Sequence, residues 1–179
     1  MSLVSLNVRE LERGAALPLS LSAVRRALAA AFWGDAMLLA SHQTRPYEAN
    51  PGDTDHLVRA WTGTLSQDLA QNRNLSSSGI LNRCREMAAD FQAVERAPRR
   101  CKRVAVVGDL YTKYCSLGNW DLERYLEHHG CEVAINGLTW HALYYWDTHL
   151  TGVRRHGTAP LLRWACRLQE QLCRILTHA

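Results

Sequence analysis

The densest run of chemistry-bearing side chains lies at 108–119, where Gly108, Asp109, Tyr111, Lys113, Tyr114, Cys115, Gly118 and Asn119 follow closely on one another. Asp109 is the candidate catalytic group, a carboxylate able to act on substrate; its alternative is to bond the amides of its own loop. Cys115 is the candidate metal ligand, and its alternative is a loop thiol with no further role. Gly118 and Asn119 are candidate substrate-binding residues. Asn119 is placed to cap a helix at 120–129, whose first free amides, at Trp120 and Asp121, would offer a modest anion site. Gly108 and Gly118 stand too far apart for a dinucleotide G-x-G-x-x-G or a P-loop.

A second group, Arg45, Tyr47 and Glu48, sits in a loop at 42–52 that carries two prolines and a glycine. These residues can contact a ligand, or Arg45 and Glu48 can pair with each other and brace the helical layer. Six cysteines (Cys84, Cys101, Cys115, Cys131, Cys166, Cys173) contain no Cys-x-x-Cys pair, which argues against a self-contained zinc knuckle. Cys84, Cys131 and Cys166 fall on apolar stripes or strands and read as core thiols. His128 and His129 end a helix and read as capping, while His141, His149 and His156 have no metal-ligand spacing.

The elements that must position these groups follow from periodicity. Residues 1–18 read as irregular. Ser20 or Ser22 can cap an Ala-rich helix to about residue 39, apolar on most faces and so expected to be buried. Leu57, Val58, Trp61, Leu65 and Leu69 recur at helical steps from Asp53 or Thr54 to about Gln71, and Leu81, Cys84, Met87, Phe91 and Val94 form a third stripe from Ile80, closed by Pro98. The pattern changes at 99. The β-branched run at 104–107 predicts a strand buried on both faces, the 112–118 segment a loop, 120–129 a helix ended by Gly130, and 131–135 a second strand. Strand, helix and strand within about 33 residues make a parallel βαβ unit with a right-handed crossover. The aromatic segment 139–150 and a segment opened by Thr158 to Pro160 predict two more helices. The expected fold is α/β: a helical subdomain at 1–98 and a partial Rossmann-like α/β subdomain at 99–179.

The chain's 179 residues, 47% of them hydrophobic, suffice for one substantial core or two small ones. Its +4 charge is modest for a nucleic-acid binder, and it resides wholly in 99–179, since 1–98 holds ten residues of each sign. Any anionic ligand is therefore expected in the second half, and no nucleic acid is expected. The longest apolar stretch, 24–40, is broken by Arg25, Arg26 and Asp35, which argues against a membrane span. Arg9, Glu10, Glu12 and Arg13 leave no secretory leader, so a cytoplasmic protein is expected.

The run VAVVGDLYTKYCSLGNWDLERYLEHHGCEV at 104–133 resembles the VGE-I-Y-V-(R/K), N, LE and G-x-E-V segment of the 2-hydroxyacyl-CoA dehydratase family. That family includes the D-component of 2-hydroxyglutaryl-CoA dehydratase, the benzoyl-CoA reductase subunits and the dehydratase-like regions of CoA-substrate-specific enzyme activases. TRPYE at 44–48 and the segment 140–145 are similar as well, so the likeness spans roughly residues 20–150. The resemblance implies a Rossmann-like lobe, one of two facing a four-iron four-sulfur cluster. It implies dehydration of a 2-hydroxyacyl-CoA thioester, a lyase reaction, with an ATP-dependent activase as electron donor. Cys115 is then the cluster ligand, and a dehydratase partner subunit supplies the missing pieces, so an oligomer or hetero-complex is expected. The alternative is a non-catalytic interaction module, or a remnant of that fold without a cluster.

Overall fold

A computed structural model of the chain describes residues 20–156. The expectations for 1–18, for the final helix and for Cys166 and Cys173 lie outside them. Three long helices open the described chain: α1 Leu21–Thr44, α2 Asp53–Ala70 and α3 Ser77–Ala93. Ser20 and Ser76 cap α1 and α3, their hydroxyls accepting from the amides of Ala23 and Gly79. The three helices close on a core of Ala29, Trp33, Trp61, Leu65, Met87 and Phe91. Trp33 is buried and its indole donates to the Ile80 carbonyl at 3.2 Å, so the largest core side chain also satisfies its one polar atom.

Two expectations for this layer need correction. α1 runs one turn further than its apolar pattern suggested, and it is not buried on most faces: Leu21, Val24, Leu28 and Leu39 are exposed, because the elements that pack on α1 cover its other sides. Pro98 does not end α3. The helix stops at Ala93, and the next residues run antiparallel to the 45–49 loop, with Ala49 N–H donating to Glu95 O and Ala97 N–H to Tyr47 O. The loop itself holds a short 3-10 turn, Arg45–Tyr47, in which Pro46 takes an early position that needs no donor.

Strand β1 Lys102–Ala105 pairs in parallel with β2 Cys131–Ala134, Lys102 opposite Cys131 and Val104 opposite Val133. Between them lie α4 Leu110–Tyr114, α5 Ser116–Asn119 and α6 Leu122–His128, and α7 Leu138–His156 follows β2. The architecture is α/β, helix-rich with a small parallel sheet. The segment expected to be a loop is mostly two short helical turns, and α6 begins two residues later than expected because Trp120 and Asp121 take left-handed conformations. Gly130 does close α6, at φ +73, where a side chain would be strained.

The strand expected at 104–107 lies at Lys102–Ala105, and it is not buried on both faces, three of its four residues being exposed. Among the described residues the sheet has two strands, so Val106 and Val133 pack on Leu38, Tyr114, Leu122 and Leu126, while Val107 is 81% exposed. No helix among the described residues is long and apolar enough to cross a membrane.

Candidate functional site at the carboxyl end of the sheet

In an open parallel sheet, ligands collect where the strands end. Val106 N–H still donates to Ala134 O at 3.0 Å, after which the chain leaves the sheet through Gly108 and enters α4 and α5. Asp109 is the cap of α4: its carboxylate accepts from Thr112 N–H at 2.8 Å, and that bond holds its pKa below the usual aspartate range. Of the two readings open for Asp109, the structure shows the bonding of loop amides.

Cys115 joins α4 to α5, half-buried and free of any disulfide; its carbonyl accepts from the amides of Gly118 and Asn119. Gly118 makes room for a neighbour, since a Cβ there would lie 2.4 Å from the Tyr111 ring. Asn119 links two elements: its amide nitrogen donates to Thr112 O at 3.0 Å, and its oxygen accepts from Leu122 N–H at 3.4 Å. The expected anion site at the amides of Trp120 and Asp121 is closed. Both amides donate to Ser116 O, because the left-handed turn folds the chain back onto α5.

Lys113 belongs to the same run, where its sequence position assigns it no role. It is 6% exposed, its ammonium lies 4.9 Å from the centre of the Tyr114 ring, and among the described residues it has no ion pair. Tyr114 is fixed in turn by donating to the Asn136 carbonyl, just past β2. One cation–π contact is worth up to about 2 kcal/mol when desolvated. The Lys113 stem is buried while its Nζ is not among the buried side-chain nitrogens without a partner, and no periodicity in the sequence marks a lysine as buried.

The Arg45, Tyr47 and Glu48 group joins the helical layer to the sheet layer. Arg45 does not pair with Glu48. Its guanidinium reaches Glu127 of α6 at 2.8 and 3.0 Å and Asp55 of α2 at 3.1 Å. Glu48 instead accepts from the amides of Gly52 and Thr54 at 2.8 and 2.9 Å, since the turn into α2 brings those donors within a few residues. Burial works against its charge, but the bonds from Thr54 and Gly52 outweigh it and keep its pKa low. Tyr47 donates to Glu132 at 2.7 Å, which raises the phenol's pKa, and Arg103 holds the other oxygen of Glu132.

His42, also missed in the sequence, is buried and meets Glu123 at 3.1 Å, while its Nδ1 has no partner among the described residues. Arg124 meets Asp55, so three polar side chains of α6, Glu123, Arg124 and Glu127, bond the helical layer. A cleft of about 610 Å³ opens beside this seam. Its lining sets Arg45, Arg99 and Arg124 against Glu48, Asp121 and Glu127, a balance that gives an anion no net attraction.

The other described cysteines stand elsewhere. Cys84 packs against the helical core, where burial pushes its thiol pKa up, and Cys101 and Cys131 lie at the amino ends of the strands. His129 caps α6 in part, its Nδ1 2.7 Å from Tyr125 O. No group of three His, Cys, Asp or Glu side chains among the described residues is placed to hold a metal ion. An iron–sulfur cluster takes several cysteine thiolates at one point, so Cys115 and its described neighbours do not fit one by themselves.

The class defined by these observations is an α/β protein with a two-stranded parallel sheet and a side-chain-rich connection at its carboxyl end. No family model, curated protein or solved structure matches the chain.

Proposed function

We propose that this chain is a partial 2-hydroxyacyl-CoA dehydratase-like component, a cytoplasmic protein that contributes one Rossmann-like lobe to a lyase assembled with other polypeptides. The observation that supports the reading is the placement of the 104–133 run. It spans β1 to β2, and its parallel pairing puts Asp109, Lys113, Cys115 and Asn119 together at the end of the sheet where ligands bind. In this reading an acyl-CoA thioester approaches that end, and Cys115 is the thiol offered to a four-iron four-sulfur cluster. A dehydratase partner subunit supplies the remaining ligands, and an ATP-dependent activase supplies the electron. Arg45, Tyr47 and Glu48 then act on the site from behind, by fixing α6 and β2 against the helical layer.

A second reading, a non-catalytic interaction module on the same fold, is favoured by the apolar side chains displayed here. Val107, Leu117 and Trp120 are 81%, 83% and 91% exposed around the same connection, as at a surface that another protein covers. Anaerobic purification of the chain together with the polypeptides bound to it separates the two. Brown protein with a broad absorbance at about 400 nm supports the dehydratase reading. Colourless protein without bound iron supports the module.

A further inference from the structure

We infer that the outer edge of β1 accepts an extended, acidic strand of a partner protein, which adds to the sheet beside Arg103 and Ala105. The inference goes beyond the reading above and rests on neither a cluster nor a thioester. Val106 N–H donates to Ala134 O, and in the parallel register this phase turns Lys102 and Val104 toward β2 as well. The backbone amides and carbonyls of Arg103 and Ala105 therefore face away from β2. Among the described residues nothing hydrogen-bonds to them, and no strand lies on that side. Lys102, Arg103 and Ala105 are exposed and so is Val107 beyond them, whereas β2 packs against α1 and α6. An open edge of this kind is a template for another strand.

Charge selects the occupant. Arg99, Arg100, Lys102 and Arg103 lead into this edge, all of them exposed. The carboxylate opposite Arg103, Glu132, is already held by Arg103 and Tyr47. Arg99, Arg100 and Lys102 have no ion pair among the described residues. A second copy answers this charge poorly. Parallel pairing would set Lys102 on Lys102 and Arg103 on Arg103, and like charges brought together at an interface repel. Antiparallel pairing about Ala105 would offer the cations only Asp109, which already caps α4. A nucleic acid would meet the charge but not the backbone, because phosphate oxygens only accept hydrogen bonds and leave the carbonyls of Arg103 and Ala105 without donors. An acidic strand answers both: its amides and carbonyls extend the ladder, and its carboxylates meet the basic run.

The test uses the full chain labelled with 15N and short fluorescent peptides of alternating valine and threonine, with a run of glutamates at one end or at the other. One of the glutamate peptides is expected to bind saturably in fluorescence anisotropy, at least about tenfold more tightly than the same peptide with lysines. The amides of Arg103 and Ala105 should exchange with deuterium at least about tenfold more slowly in that complex. N-methylation of alternate peptide amides keeps every charge and removes donors to the edge, and it should weaken binding at least about tenfold. Arg100→Glu combined with Lys102→Glu, both at exposed positions, should reverse the preference in favour of the lysine peptide.

No saturable binding of either glutamate peptide overturns the inference. Equal binding of the N-methylated peptide, or tighter binding of a single-stranded oligothymidylate, overturns it too and makes the basic run a surface for polyanions. Slow exchange of both amides in the free chain also overturns it. Protection that rises with chain concentration would assign the edge to a second copy, and protection independent of concentration to another segment of this chain. Iron enters none of these measurements, so their outcome and that of the dehydratase reading stay separate.

Discussion

Replacing Arg45 by Ala asks whether the Arg-Pro-Tyr-Glu loop is a brace between layers or a ligand contact. The Arg45 guanidinium holds both oxygens of Glu127, at 2.8 and 3.0 Å, and the Glu127 side chain is only 5% exposed. Removing the cation leaves a buried carboxylate uncompensated, a change that costs about 3–5 kcal/mol. The Asp55 side adds little, because that carboxylate is 30% exposed and keeps Arg124 at 3.1 Å; an exposed pair of this kind is worth about 0–1 kcal/mol. Urea unfolding followed by circular dichroism should therefore place Arg45→Ala about 3–5 kcal/mol below the wild type. Arg45→Met combined with Glu127→Leu should recover most of the loss, since the stranded charge is removed with its partner. A loss under about 1 kcal/mol for Arg45→Ala, or a double variant no better than the single one, refutes the bracing argument.

Two further outcomes follow from the same seam and from the site. Glu48, Asp55, Asp68 and Glu132 all have pKa values below those of free carboxylates. Their stabilisation is thus complete above the unfolded value of about 4 and is lost as pH falls toward the lower folded values. Urea midpoints should hold level from neutrality to about pH 5 and drop below about pH 4; a midpoint that rises on acidification contradicts the assignment. Asn119→Ala removes the bonds to Thr112 and Leu122 and should cost on the order of 1 kcal/mol in thermal unfolding, with or without any ligand present.

Local signals in the sequence were read correctly where one element's own pattern decides its state. The steps from Leu57 to Leu69 define α2, and the β-branched residues at Val104 and Val133 mark two strands whose short helical connection requires parallel pairing. What was not legible depends on distant neighbours. Arg45 finds Glu127 82 positions away, and nothing local distinguishes that partner from Glu48. The exposure of Val107 and of the α1 leucines depends on which distant elements pack beside them. The candidate site shows the same division: Asp109, Cys115 and Asn119 lie on the one connection that follows β1, as their neighbouring positions imply. The burial of Lys113 arises from packing against Tyr114 and from the position of α4, which a residue-by-residue pattern does not contain.

The most direct test of the central proposal compares the wild-type chain with Cys115→Ser, each purified anaerobically together with the polypeptides bound to it, measuring iron and acid-labile sulfide per chain. The account predicts that the wild type binds both and that Cys115→Ser loses them while keeping its helical content, because Cys115 sits at a junction outside both cores. Equal iron in the two proteins, or none in either, would contradict it and leave the exposed face around Leu117 and Trp120 as the function of this end of the fold.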